Sequence, residues 1–144
     1  MRPAGARAGQ GRAQGPDGVD DSPFCVLVVE DEYLIRASVL DEMEDLGHRA
    51  LEAESAEEAL AVLEAAAGRG EAVHVLMTDL GLPGMGGGEL AAAVRARYPA
   101  IGVVFATGAD ELPDVPGAPP VRLDKPFGDD QLLGALERAS GRRL

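Results

Sequence analysis

The sequence predicts an α/β protein, a parallel β-sheet with helices on both faces. Three observations predict it. Apolar runs of strand length at residues 24–29, 73–78 (interrupted by His74 and closed by Thr78) and 101–106 alternate with stretches of helical period, the pattern of right-handed βαβ crossovers. The runs show no polar alternation, so both faces of each strand are expected to be buried. Each run then ends on polar residues: Glu30-Asp31, Asp79 and Thr107. In a parallel sheet those ends open on one edge, where ligands bind.

In chain order, residues 24–29 form the first strand. From Tyr33 the period becomes helical, with Ile35, Val39, Met43 and Leu46 on one face and Gly47 placed to end the helix. Residues 48–53 make a short edge strand. Ser55 with Glu58 reads as a capping box. It opens a helix whose apolar face is Ala59, Leu60, Val62, Leu63 and Ala67, stopped by Gly68-Arg69-Gly70. The strand ending at Asp79 passes into a Gly/Pro-rich loop. A helix over 89–97 follows, using Leu90 and Val94 and ended by Tyr98-Pro99.

After the strand at 101–106, residues 109–120 carry Pro113, Pro116, Pro119 and Pro120. An interior proline costs a helix about 3 kcal/mol, so the fourth helix of the alternation is expected to be shortened or irregular. Residues 121–124 make the last strand. The terminal helix carries Leu132, Leu133, Leu136 and Ala139, with Asp129 and Asp130 in its first turn, where the helix dipole favours acids.

Composition bounds the function. With 46% apolar residues in 144, there is material for one core. Residues 1–22 are Gly-rich with scattered Arg and read as a disordered tail; residues 23–144 are the folded domain. The three Arg and three Asp of the tail cancel, so the folded part carries the whole net charge of -12. Such a surface repels nucleic acid. No apolar run approaches the ~20 residues that span a bilayer, and no secretory signal is evident. The expectation is a cytoplasmic protein without a nucleic-acid or membrane partner. The single cysteine, Cys25, reads as a small buried residue and excludes an internal disulfide. His48 and His74 read as packing residues, and the acidic run 41–45 as a solvated helix face.

The strand ends make a constellation. Three carboxylates brought together at Glu30, Asp31 and Asp79 repel one another unless a cation lies among them. Only oxygen ligands are at hand, which selects a hard cation such as Mg²⁺. A carboxylate held beside Mg²⁺ is a nucleophile for phosphorus, and phosphoryl transfer needs its equatorial oxygens neutralised. Mg²⁺ would cover one, Lys125 and Thr107 are the right types for the other two, and Gly81 and Gly108 would let the backbone approach the phosphoryl group closely. Lys125 is the only lysine, against twelve arginines. A compact ammonium suits the place better than a guanidinium fork.

These residues resemble the receiver domain of two-component response regulators over roughly 24–139. The matching strings are Val-Leu-Val-Val-Glu-Asp-Glu at 26–32, Asp-Leu-Gly-Leu-Pro-Gly-Met at 79–85, Phe-Ala-Thr-Gly at 105–108 and Lys-Pro-Phe at 125–127. The resemblance implies a flavodoxin-like sheet of order 2-1-3-4-5. It implies Asp79 as phosphoacceptor, with Mg²⁺ held by Glu30, Asp31, Asp79 and the Gly81 carbonyl. Thr107 and Gly108 would bind and sense the phosphoryl group with Lys125, and Lys125-Pro126 would be a cis bond. The donor would be a histidine kinase, a histidine phosphotransfer protein or a small acyl phosphate. Two departures stand out. Arg122 occupies the position where receivers usually carry an aromatic switch residue, and the preceding helix is broken by prolines. Phe-Ala-Thr-Gly is similar to the FAT GUY subgroup, whose members are associated with HWE or HisKA2 kinases; Asp110 stands where that motif has Tyr.

The resulting expectation is a stand-alone response regulator, monomer or weak homodimer. It would catalyse only its own phosphorylation and dephosphorylation, and would switch the 108–127 face for a partner or relay or drain phosphate. Two other classes remain open. A Mg²⁺-dependent phosphohydrolase would use Asp79 as nucleophile, but such enzymes usually carry a second acid two residues on, where this chain has Gly81. A pseudo-receiver would bind partners without phosphorylation.

Overall fold

The computed structural model describes residues 22–144; the predicted tail, apart from Ser22, lies outside the described residues. The chain runs β1 (Cys25–Val29), α1 (Tyr33–Asp45), β2 (Arg49–Ala53), α2 (Ala56–Gly68), β3 (Val75–Asp79), α3 (Gly87–Arg97), β4 (Gly102–Thr107), β5 (Val121–Asp124) and α4 (Asp129–Ser140). Every strand pairing is parallel, in the order β2-β1-β3-β4-β5. This is the flavodoxin-like arrangement. Its strand order reverses between β1 and β3, and the crevice beyond their carboxyl ends is the site such sheets offer.

The apolar runs are continuous because the sheet has two covered faces. Val26 and Val28 of β1 pack with Val39 and Met43 of α1 and Leu132 and Leu136 of α4. Leu27 and Val29 point the other way, into Ala59, Leu63, Leu90 and Val94 of α2 and α3. Successive side chains on a strand alternate faces, so every position meets a core.

The helix boundaries follow local chemistry. Gly47 adopts φ 79° past the end of α1, and the His48 N–H donates to the Met43 carbonyl, a left-handed helix stop that glycine takes at no steric cost. Ser55 Oγ accepts from the Glu58 N–H at 3.1 Å, and the Glu58 carboxylate accepts from the Glu54 N–H at 2.7 Å. The predicted cap is therefore present, with its return bond shifted by one residue. Two facing assignments differ. Leu46 is 39% exposed, because it caps α1 and the core stripe ends at Met43. In α2 the buried positions are Ala56, Ala59, Leu63 and Ala66, whereas Ala67 faces out. Helical spacing from Leu63 allows either alanine, and identical side chains give no sign of which. His74 and His48 pack as predicted, the first stacked on the Phe24 ring and the second in edge contact with it, and Cys25 is buried.

Between β4 and β5 the predicted irregularity is complete: residues 108–120 form no helix. Leu112 and Val115 from this segment cover the α2/α3 side of the sheet in a helix's stead. The carbonyls that a helix would satisfy internally are taken instead by Arg95 of α3, a buried arginine. Its Nε donates to the Ile101 carbonyl at 2.6 Å, and its Nη1 donates to the carbonyls of Pro116 and Ala118. Arg95→Met should leave the buried Ile101 carbonyl without a partner, and an unsatisfied buried acceptor costs about 1–3 kcal/mol. The expected result is a lower urea midpoint at unchanged slope.

Candidate functional site

The strand ends converge as predicted. Asp79 ends β3 and Thr107 ends β4. The Asp79–Ala106 register puts Thr107 one residue beyond the aspartate along the neighbouring strand. Glu30 and Asp31 follow β1, and Lys125 follows β5. One carboxylate oxygen from each of Glu30, Asp31 and Asp79 lies within 4.8 Å of the others. Lys125 Nζ bridges two of them, at 2.8 Å from Glu30 Oε1 and 3.4 Å from Asp79 Oδ2.

The electrostatics follow from burial. Glu30 is 2% exposed. Burial pushes its carboxyl above the usual range, although the Lys125 hydrogen bond and the Glu32 N–H at 3.2 Å oppose that rise. For Lys125 burial acts against the charge, but the Glu30 hydrogen bond and the carboxylates of Glu30 and Asp79 outweigh it and hold the ammonium above an ordinary lysine. Lys125 is therefore charged at neutral pH. Carboxylates still outnumber it, and the cluster offers oxygen donors only. Such a set fits a hard divalent cation.

Neighbouring residues hold these groups in place. Gly81 N–H donates to Asp79 Oδ1 at 3.2 Å. Thr107 is buried; its Oγ1 accepts from the Ala109 N–H at 2.9 Å, and its carbonyl accepts from the Lys125 N–H at 3.1 Å. The Lys125-Pro126 bond is cis, as expected. A Cβ placed on Gly81 or Gly108 would meet open space, so neither glycine is imposed by packing of the chain itself. Arg122 is not beside the carboxylates; its guanidinium binds the turn after Thr107.

Two positions that serve the site were not singled out from the sequence. Gly87 opens α3, and a Cβ there would sit 2.1 Å from the Asp79 carbonyl oxygen. Only glycine lets α3 start against the end of β3. Arg36 of α1, 7% exposed, donates to the Glu30 carbonyl at 2.7 Å and pairs with Glu52 of β2 at 2.8 Å. It pins the turn that carries Glu30 and Asp31. The Gly86-Gly87-Gly88 run and an arginine on the inward face of an amphipathic helix were the available signals.

A flavodoxin-like sheet with an acid pair, an aspartate, a buried threonine and a lysine at its strand ends defines a receiver-type protein. The chain belongs to the response regulator receiver domain family, whose pattern matches residues 26–137. It is similar to the response regulator protein FleR of Pseudomonas aeruginosa, with 37% identity over 82 residues, covering 57% of this chain and 16% of that protein. A response regulator receiver protein of Anaeromyxobacter sp. is 37% identical over 62 residues, 43% of this chain and 25% of that one. The chain thus matches only a minor share of these relatives' lengths.

Among solved structures, chemotaxis protein CheY4 of Vibrio cholerae superimposes with TM-score 0.68 at 26% identity, covering 82% of this chain and 99% of that one. The signal receiver domain of an HD domain-containing protein from Pseudomonas fluorescens gives 0.69 at 24% identity, over 82% and 94% of the two chains, and supports the fold alone. Receiver domains of two-component systems are phosphoacceptors rather than classical enzymes. They bind Mg²⁺ in an acidic pocket and interact with histidine kinases or phosphotransfer proteins and with downstream targets. No helix among the described residues is long and apolar enough to cross a membrane.

Proposed function

We propose that this receiver domain, residues 23–144, accepts a phosphoryl group on Asp79 from a histidine kinase or a histidine phosphotransfer protein, and that the modification alters the 108–127 face read by a partner. The observation that carries the proposal is the cluster of Glu30, Asp31 and Asp79 with the Lys125 ammonium bonded between Glu30 and Asp79. In the reaction an Asp79 carboxylate oxygen attacks phosphorus, a P–O bond forms, and the P–N bond to the donor histidine breaks. Hydrolysis by water later restores the carboxylate. Glu30, Asp31 and Asp79, with the Gly81 carbonyl, would hold Mg²⁺, which when bound offsets charge on the transferring oxygens.

The chain's own groups supply the rest. The Lys125 ammonium stands 3.4 Å from Asp79 Oδ2 and offsets charge on a second oxygen. The Thr107 hydroxyl and the Gly108 N–H serve the third. Glu30 is held at the cluster by Lys125 and by the Glu32 N–H. The Phe-Ala-Thr-Gly string supports a donor of the HWE or HisKA2 type. The phosphohydrolase alternative gains nothing from the site, since the residue two beyond Asp79 is Gly81.

Labelling from an acyl phosphate tests the metal requirement. Chelation with EDTA is expected to stop incorporation, and excess Mg²⁺ to restore it. Incorporation that continues in EDTA would overturn the assignment of the acid cluster.

A further inference from the structure

We infer that Arg122 is a positioning residue of the phosphorylation switch, holding the turn after Thr107 through its guanidinium fork; this rests on Asp79 being the phosphoacceptor. Arg122 lies on β5 in register with Phe105, three residues before Lys125. Its Nη1 and Nη2 donate to the Ala109 carbonyl at 2.7 and 2.6 Å, and Nη2 also donates to the Asp110 carbonyl at 2.8 Å. Nη1 further lies 3.3 Å from Asp124 Oδ1. The planar fork reaches two successive carbonyls at once in a fixed geometry, which an aromatic ring cannot do and a lysine ammonium on its flexible stem does not preorganise.

Ala109 is thereby held by both of its backbone groups. Arg122 takes its carbonyl, and Thr107 Oγ1 takes its N–H at 2.9 Å. The Thr107 hydroxyl is thus tied into the turn that Arg122 clamps. A phosphoryl group on Asp79 attracts that hydroxyl, and an Oγ1 drawn toward it leaves the Ala109 N–H. The turn then shifts against the Arg122 fork, while Arg95 still anchors Pro116 and Ala118 at the far end of the segment. Arg122 sets the balance between the two positions of the turn, and the stretch free to respond is the one between the two arginines.

The test uses the full chain with Arg122→Met and Arg122→Lys. Amide exchange is read at Ala109 and at the core amides of Leu27 and Val103, with and without beryllium fluoride and Mg²⁺ as phosphoryl stand-in. Initial labelling of Asp79 by acetyl phosphate is read alongside. In the native chain the stand-in is expected to speed exchange at Ala109 alone. Both variants should show that faster exchange before any stand-in is added and should label faster. The expected change is about fivefold, one charge-assisted hydrogen bond discounted for a side chain that is 30% exposed.

Three results overturn the inference: variants that exchange and label like the native chain, an Arg122→Lys that behaves as arginine, or core amides that accelerate together with Ala109. The second would mean that charge suffices, and the third that the residue merely stabilises the fold. Absence of label on native Asp79 would instead overturn the phosphoacceptor reading itself, and this inference with it.

Discussion

Asp79→Asn is expected to abolish phosphoryl uptake and leave the fold intact. The amide keeps the size of the side chain and an oxygen to accept the Gly81 N–H, now made at 3.2 Å. It lacks the anionic oxygen that attacks phosphorus. Removing one of three mutually repelling carboxylates also relieves the cluster, so thermal stability without divalent cation should hold or rise. Labelling by a cognate kinase, read beside a circular dichroism melt, checks both parts. Undiminished labelling of the variant would sink the assignment, and a collapsed melt would show that Asp79 serves the fold first.

Lys125→Met should separate two properties that a simple loss of the site would move together. Among the described residues, Lys125 is the cation within ion-pair distance of both Glu30 and Asp79. Without it the carboxylates are less compensated, and Mg²⁺ should bind more tightly. Phosphoryl transfer should nevertheless fall by about 100-fold, the usual effect of removing one preorganised donor at a developing charge. Breaking a buried pair from one side costs about 3–5 kcal/mol. A Mg²⁺ titration and a labelling time course on the same variant decide the matter. Parallel weakening of both would mean that Lys125 holds the acid cluster together rather than acting on the phosphoryl group.

The fold was legible because its physics is written in long features. Strands buried on both faces need unbroken apolar runs, and 24–29 and 101–106 have them. Polar residues at their ends then had to meet on one edge, so Glu30, Asp31, Asp79, Thr107 and Lys125 could be grouped from order alone. The strand order and the cis Lys125-Pro126 bond came only with the family resemblance, since neither composition nor period encodes them.

What stayed hidden depends on tertiary partners. Arg95 and Arg97 sit on one helix with the same intrinsic preference, and Arg95 is buried only because a proline-rich segment lays its carbonyls against it. Arg36 is likewise assigned by the Glu30 carbonyl and Glu52 and not by its own neighbours in sequence. The prolines of 109–120 announced the lost helix, whereas the two arginines that replace its internal hydrogen bonds did not announce themselves. Arg122 was visible by its offset from Lys125, but its contacts to Ala109 and Asp110 were not.

The proposed function turns on one atom, the Asp79 carboxylate oxygen that would take the phosphoryl group. Its most direct test treats the full chain with acetyl phosphate and Mg²⁺, traps the acyl phosphate by borohydride reduction, and maps the product by mass spectrometry. The expected result is a single reduced residue, at Asp79. Reduction at another carboxylate, or at none, would contradict it.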